Sequence, residues 1–471
     1  MMKEKLKTLA IFILMMTSIV LIYELSSGKK IEQKNVENAA ITQNYTYTLE
    51  DILVPSRAYL KTSDGKMFTV YDVASEKFFD AAKTTLSEIL SMSTLSIKEA
   101  DKVDQKIKYP DIVFSYPYEI NLNLLLKSYS IGEVKPEIDS IKSVNSFGIY
   151  LYDDEYSLLL SNKDKDYLIE SNDYDMSNMI VKFKKVIDKN NLNEIDTRNL
   201  DLAKTKNNLL IHDKIKMKIP ITYVSNEVVL INMEEKDKLA ERFFGVDKYY
   251  IRQIKEDNGS VIYFYNSNVL KINPNGLVSY YSPLKSDVRE RNLFLSLNTA
   301  ANFISRNSLF PHEFTLDEII PIDAGKSKGY KFILSHKDNG LKTFEKNKES
   351  SHDIVIEVFN KEIRSFKQIF KLKDQLSYIS YEDNSSMLSY QDIIDKNIDY
   401  LKAQFIENNE IKDKGKISKE LIIKEITDAY PAYFDPNLKL KNERLIPVWV
   451  IEAFGKKYLF NVYNGVLMYV N

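Results

Sequence analysis

Ile354-Val-Ile-Glu-Val-Phe-Asn-Lys-Glu-Ile-Arg-Ser-Phe366 can be laid over Tyr458-Leu-Phe-Asn-Val-Tyr-Asn-Gly-Val-Leu-Met-Tyr-Val470. In both, apolar residues alternate with mixed ones around a two-residue turn that contains asparagine. A period of two puts successive side chains on opposite faces of a strand, and asparagine tolerates the positive φ of a tight hairpin. Each stretch lies downstream of a long segment of helical spacing, Asp287 to Asn307 or Tyr390 to Glu407. A helix with one apolar stripe and a hairpin sheet with one apolar face bury each other. The pattern predicts an α+β fold of antiparallel sheets with packed helices, and an internal repeat. Two unrelated hairpins are the alternative.

Working outward, Asn258-Gly259 and Asn275-Gly276 are hairpin turns among strands expected at Tyr249–Ile254, Val261–Tyr265, Val269–Ile272 and Leu277–Tyr281. A short helix, Glu234 to Phe244, precedes them. Farther upstream, Phe78, Phe79, Ala82, Leu86, Ile89 and Leu90 recur at helical spacing between Phe78 and Met92. Ser63-Asp64-Gly65-Lys66 reads as a turn, Ile112-Val113-Phe114 as a short buried strand and Ile120 to Tyr129 as a helix. Phe147–Leu151 and Ser157–Leu160 form a hairpin around Asp153-Asp154-Glu155. Toward the C-terminus, Ser418 is an N-cap for a helix running to Ala429, which Pro431 stops. Strands are expected at Leu445–Ala453, Lys457–Tyr463 and Val466–Val470.

The chain begins differently. Thr8 to Tyr23 carries no charge and is apolar on every side. As a helix it spans about 24 Å, and Leu6 and Leu25 extend it toward the roughly 30 Å of a hydrocarbon core. Lys3, Lys5 and Lys7 precede it, Lys29, Lys30 and Lys34 follow it, and Tyr23 suits the far headgroup region. A cleaved signal peptide is the alternative, but Leu25-Ser26-Ser27-Gly28 is a poor cleavage site. These signals divide the chain into a cytoplasmic head (1–7), a transmembrane anchor (8–25) and a tether (26–44). An N-terminal extracellular domain (45–214), a middle α+β domain (215–385) and a C-terminal domain (386–471) follow. The expected location is the cell membrane, single-pass, with the N-terminus inside and the bulk of the chain outside.

Composition narrows the chemistry. In 471 residues, 65 basic side chains meet 67 acidic ones, and a net charge of -2 creates no field to hold nucleic acid. There is no cysteine, which excludes disulfides, thiolate chemistry and cysteine-based zinc sites. An exported chain without cysteine is held by packing alone, as is common in Gram-positive bacteria. His212, His312, His336 and His352 are far apart and form no zinc-binding pair. No nucleophile elbow, phosphate-binding loop or dinucleotide fingerprint occurs. Asp153-Asp154 reads as a solvated turn before it reads as an acid–base or calcium pair, and Asn162-Lys-Asp-Lys-Asp166 imitates a calcium loop without its glycine and distal glutamate. No catalytic, metal or cofactor-binding residue is therefore assigned. Trp449 is the single tryptophan, either a core anchor or a partner-contact residue.

Several segments together resemble the YycH family of regulators, with an end similar to YycI and PepSY-like modules. They are the basic N-terminal span, Ile52-Leu-Val-Pro-Ser-Arg-Ala and Asp111-Ile-Val-Phe-Ser-Tyr-Pro-Tyr-Glu-Ile-Asn-Leu-Asn-Leu-Leu. To these are added Phe243-Phe244 to Pro283 with Val246-Asp247, Arg252, Tyr263 and Tyr280, and Arg444-Leu-Ile-Pro-Val-Trp-Val-Ile-Glu followed by Tyr458-Leu-Phe-Asn-Val-Tyr-Asn-Gly. The resemblance implies three extracellular domains, the middle and last alike. It implies no catalytic residues, and an accessory role beside a WalK/YycG-like sensor histidine kinase and a YycI-like protein. The tether here is longer than the family's. A regulator working through its anchor in the lipid bilayer needs a helix face that packs against the kinase, for which Thr17 and Ser18 are the small polar candidates. A module binding cell-wall polymer, peptide or lipid is the second reading. An enzyme with two convergent carboxylates from distant segments is the third.

Overall fold

The computed structural model describes residues 47–61, 67–71, 73, 77–91, 95–101, 112–131, 136–152, 155–171, 181, 185, 219, 223–226, 233–308, 314–338, 340–346, 354–369, 371–373, 387–409, 417–436 and 443–471. The head, anchor and tether, with Thr17 and Ser18, lie outside the described residues, as do Ser63–Lys66, Asp153-Asp154, His212, His312 and His352. Among the described residues no helix is long and apolar enough to cross a membrane.

The fold is mixed α+β, with large antiparallel sheets and few helices. Its first part contains α1 (Leu49–Ile52), β1 (Arg57–Lys61), β2 (Met67–Val70), α2 (Lys77–Leu90), β3 (Leu95–Asp101), β4 (Ile112–Asn121), α3 (Leu122–Ser128), β5 (Ser143–Tyr152), β6 (Glu155–Ser161) and β7 (Lys165–Ser171). The strands form a seven-stranded antiparallel sheet in the order β2-β1-β4-β5-β6-β7-β3. Phe79, Ala82, Leu86, Ile89 and Leu90 of α2 are buried, as their helical spacing predicts. The strand expected at Ile112–Phe114 runs on through Pro117 to Asn121. A register irregularity between Ser115 and Ile120 takes up the proline, which has no N–H to pair.

The second part begins with β8 (Tyr223–Asn226) and α4 (Met233–Phe244). After these come β9 (Arg252–Lys255), β10 (Val261–Tyr265), β11 (Asn268–Ile272), β12 (Leu277–Tyr281), α5 (Leu293–Asn307), β13 (Phe314–Ala324), β14 (Ser327–Asp338), β15 (Leu341–Glu345), β16 (Ile354–Phe359), β17 (Glu362–Ile369) and β18 (Lys371–Lys373). The chain ends with α6 (Tyr390–Asn408), α7 (Lys419–Lys424), β19 (Ile426–Asp435), β20 (Glu443–Arg444), β21 (Ile446–Ala453), β22 (Lys456–Asn461) and β23 (Leu467–Val470). A thirteen-stranded sheet runs β23-β22-β21-β19-β15-β14-β16-β17-β12-β11-β10-β9, with β13 paired to β14. Its one parallel pairing among the described residues joins β15 to β19, from Thr343 opposite Tyr433 to Glu345 opposite Asp435. A small third sheet, β18-β8-β20, draws strands from three distant segments.

Both hairpins of the proposed repeat form, but with different turns. Between β16 and β17, Asn360-Lys361 is the expected two-residue turn, with Asn360 at φ 54°. Between β22 and β23 the loop is longer, and the Asn461 carbonyl accepts from the Gly465 N–H at 2.9 Å. The Asn-Gly hairpins form as three-residue loops. Gly259 (φ 84°) and Gly276 (φ 93°) close turns onto the carbonyls of Glu256 and Asn273, and a non-glycine side chain at such a φ is strained.

Other boundaries also differ from the sequence reading. Residues 287–292 are not helical, because Val288 and Arg291 bond to the β13–β14 hairpin and the Asn292 side chain accepts from the Leu295 N–H at 2.9 Å, starting α5 there. Tyr249 and Tyr250 belong to a 3-10 turn, not to β9. The helix capped by Ser418 ends at Lys424, and Ile426–Asp435, including Pro431, is strand. Pro431 is tolerated there because β15 pairs with β19 only from Tyr433 onward, leaving that flank open at the proline.

The C-terminal core explains the continuous apolar run of β21. Trp449 and Ile451 pack with Tyr390, Ile393, Ile394, Leu401 and Phe405 of α6, while Val448 and Val450 pack with Phe344, Ala432, Phe434 and Leu459. A strand covered on both faces loses its polar alternation. Ser389 starts α6 with a full capping box, its hydroxyl accepting from the Asp392 N–H at 3.1 Å and the Asp392 carboxylate from the Ser389 N–H at 3.0 Å. Ser389→Ala is expected to lower stability by about 1 kcal/mol, read as a shift in the denaturant midpoint. No shift would mean that packing alone holds this end.

Candidate functional site

The β9 end of the large sheet has two unlike faces, set by strand alternation. On the inner face, Gln253, Tyr263, Leu270, Tyr280 and Phe366 lie in one cross-strand row. Tyr263, Leu270, Tyr280 and Phe366 are buried, and Phe243 of α4 and Phe303 of α5 seal them with ring contacts at 5.3–5.7 Å. The Tyr263 hydroxyl donates to Asp237 at 2.9 Å, and burial followed by that carboxylate pushes its pKa up. On the outer face the neighbouring row is Arg252, Phe264, Val269 and Tyr281. Phe264 and Val269 are half-buried, and Tyr281 is 49% exposed.

The edge itself is open. β9 pairs with β10 alone among the described residues, and all four of its residues are exposed. Just before it, Tyr249 is 86% and Tyr250 72% exposed, and Ile254 within it is 51% exposed. Rings so far into water are unusual for aromatic side chains and make this end of the sheet a candidate contact surface. Lys248, Arg252 and Lys255 flank them in sequence, as do Asp247, Glu256 and Asp257, and no ion pair engages Arg252 or Lys255 among the described residues. This surface was missed by the sequence reading, which placed Tyr249 in a strand. Two adjacent aromatics cannot both face one core from a strand, and Tyr249-Tyr250 was the available signal.

The carboxylates that do converge lie elsewhere, where the seven-stranded sheet meets β19. Arg57 of β1 binds Asp428 with both terminal nitrogens, at 2.8 and 2.9 Å, across 371 residues of sequence. Nearby, Glu452 accepts from Tyr430 at 2.8 Å and pairs with Lys457 at 3.0 Å, while Asp317 pairs with Lys342. Burial opposes the charge on Arg57, but Asp428 outweighs it and holds the guanidinium protonated beyond its ordinary range. Burial also opposes the charge on Asp317, and Lys342 and Lys457 overcome it, leaving that carboxyl below its usual range. Burial, then the charges of Glu452, Asp428 and Asp317, push Tyr430 up. A general acid needs a carboxyl whose proton is held by burial or a like charge; here each carboxylate faces a cation, which makes this a salt-bridge network.

Other sequence candidates settle into structural roles. Trp449 is 1% exposed, stands edge-on to Tyr390 and donates its indole N–H to the Leu388 carbonyl at 3.1 Å. In this fold it has no surface to offer a partner. Asn162 accepts from the N–H groups of Asp164 and Lys165, at 2.9 Å each, so the calcium-like stretch is an Asx turn between β6 and β7. His336 is buried against Phe314. No group of three or more metal-ligating side chains occurs among the described residues. A cavity of about 10 Å³ between α2 and its sheet is lined by apolar side chains and Thr85 and is at the lower limit for a single water.

No family model matches the chain, and no curated protein matches it in sequence. Among solved structures it is similar to an uncharacterized protein from Eubacterium rectale, at 14% identity and a TM-score of 0.37, over 55% of this chain and 88% of that one. It is also a weak structural neighbour of the Bacillus megaterium YpeB C-terminal domain, at 13% identity and a TM-score of 0.26, over 51% of this chain and 97% of that one.

Proposed function

We propose that this chain is a membrane-anchored accessory regulator of a cell-wall-related two-component sensor histidine kinase, WalK/YycG-like, acting by protein–protein contact through its anchor helix and outer domains. The observation that supports the reading is the sheet end around Tyr249, Tyr250 and Ile254, which is exposed and pairs only with β10 among the described residues. The uncharged run Thr8–Tyr23 and the ordered resemblance to YycH regulators add the membrane and the kinase. A YycI-like protein is the expected companion. Regulation of this kind requires different contact energy with two kinase states, since equal contact shifts nothing.

The test is co-purification of the full-length chain with its host's kinase and YycI-like protein, together with a chimera in which Thr8–Tyr23 is replaced by an unrelated apolar span. Association with both is expected, with kinase regulation lost in the chimera while membrane insertion persists. Full regulation by the chimera would remove the helix from the mechanism. Absence of association, with all proteins in the membrane, would favour the second reading, a module for cell-wall polymer, peptide or lipid. The cations beside exposed tyrosines make an anionic polymer the form of it to test, by saturable binding to purified wall.

A further inference from the structure

The geometry points to a reversible two-fold dimer in which β9 of one copy pairs antiparallel with β9 of a second copy, joining their sheets edge to edge. This goes beyond the regulator reading and does not depend on it. The backbone sets the phase. The Glu256 N–H donates to the Ser260 carbonyl at 2.9 Å, so these residues form a hydrogen-bonded pair of the β9–β10 ladder. Such pairs alternate along antiparallel strands, so Ile254 and Arg252 also point their backbone groups at β10. Gln253 and Lys255 therefore turn their N–H and C=O groups to the open side, where a second strand can pair with all four.

Three antiparallel self-pairings use these groups, and two carry a defect. Gln253 opposite its own copy sets Lys255 against Ile251, whose N–H is already donated to the Lys248 carbonyl at 3.0 Å. Lys255 opposite its own copy sets like charges together, which is destabilising. The third places Gln253 opposite Lys255 of the second copy, twice, with Ile254 on the two-fold axis. Ile254, 51% exposed, then covers its own counterpart. On the same outer face Arg252 meets Glu256 of the second copy, and the reverse pair repeats beyond the axis. Lys271 and Asn258 both bond to one oxygen of Glu256, Oε2, and a carboxylate can accept from a further cation. On the inner face Lys255 arrives beside Gln253 of the second copy, whose amide donates to Asp237 of α4 at 3.2 Å. No ion pair engages Asp237 among the described residues, so it is the carboxylate placed to receive this lysine. An unrelated strand could use the four backbone groups too. The placing of acids and cations on both faces, complementary to itself in one register, selects the second copy. A four-residue strand buries less than a permanent dimer needs, so the association is reversible.

The test uses the full-length chain in detergent, which has no cysteine of its own. A non-hydrogen-bonded antiparallel pair holds its Cα atoms about 4.5 Å apart, within reach of a disulfide. Ile254→Cys is expected to cross-link to itself under mild oxidation about tenfold or more faster than Lys326→Cys, an exposed control in the β13–β14 turn. Adding Arg252→Glu sets like charges opposite each other and should bring cross-linking down to the control rate, as should adding Glu256→Arg. Mixing these two variants restores both opposite-charge pairs, and cross-linking should return as heterodimers. Melting temperatures verify that each variant folds. Should Glu256→Arg fail to fold for want of its bond to Lys271, Lys255→Glu, which faces Asp237 of the second copy, serves as the second repulsive variant. Sedimentation of the wild-type chain over a concentration series should show a monomer–dimer equilibrium that Arg252→Glu weakens about tenfold. Cross-linking at Ile254→Cys no faster than at the control, cross-linking indifferent to Arg252→Glu, as for a dimer held by another part of the chain, or no recovery in the mixture would each overturn the proposal.

Discussion

Replacing Asp428 with alanine is expected to destabilise the chain by about 3–5 kcal/mol, because it leaves the Arg57 guanidinium charged and without its carboxylate. The side chains of the pair are 13% and 25% exposed, so water cannot fully take over the lost partner. Arg57→Ala should cost a similar amount by stranding Asp428. The Arg57→Met, Asp428→Leu double variant removes both charges and keeps the volume, and should recover most of the loss. Urea unfolding of the four proteins, arranged as a double-mutant cycle, measures the coupling. Single substitutions costing less than about 1 kcal/mol would place the pair among ordinary surface salt bridges. Recovery by the double variant would show that the stranded charge, rather than the ion pair itself, sets the cost of each single substitution, and Arg57→Lys would not restore the two parallel bonds.

Trp449→Ala should cost about 3–5 kcal/mol through the cavity left under α6. It also leaves the Leu388 carbonyl without its indole donor. Trp449→Phe keeps an aromatic ring but not the donor, so about 1–2 kcal/mol is expected. Circular dichroism must follow these variants, since the chain has no other tryptophan to report unfolding. In the wild-type chain that uniqueness is useful. Its emission should be blue-shifted and shielded from acrylamide until the C-terminal core opens. Ready quenching under native conditions would contradict the burial on which the expected loss depends.

Much of the fold is legible in the chain, and the losses have identifiable causes. α2 and α6 follow from apolar spacing, because a helix carries its periodicity locally, while the Ser389–Asp392 cap of α6 emerged only from the structure. The Asn-Gly hairpins are equally local. Ile426–Asp435 was misread because Pro431 resembles a helix stop, and its actual tolerance depends on where β15 meets β19, a fact from a segment far away. The β18-β8-β20 sheet is likewise beyond local pattern, since it joins three distant short strands. Of the candidate surface, the tyrosines and cations are visible in the sequence. That β9 ends a sheet is not, because edge position is a property of every other strand's pairing. Trp449 shows the converse case. A lone tryptophan in an apolar strand suits either a core or an interface, and only the helix above it decides.

The bond between Arg57 and Asp428 also has a consequence for time. Contacts so distant in sequence close only after a large loss of chain entropy, and they form late. A ribosome delivers β1 long before β19 exists. The face of the first sheet that carries Arg57 must therefore wait, unsealed, until almost the whole chain has emerged. During that interval its partner surface is open to other strands and to chaperones. A chain truncated before Asp428 should hence behave as an aggregation-prone fragment.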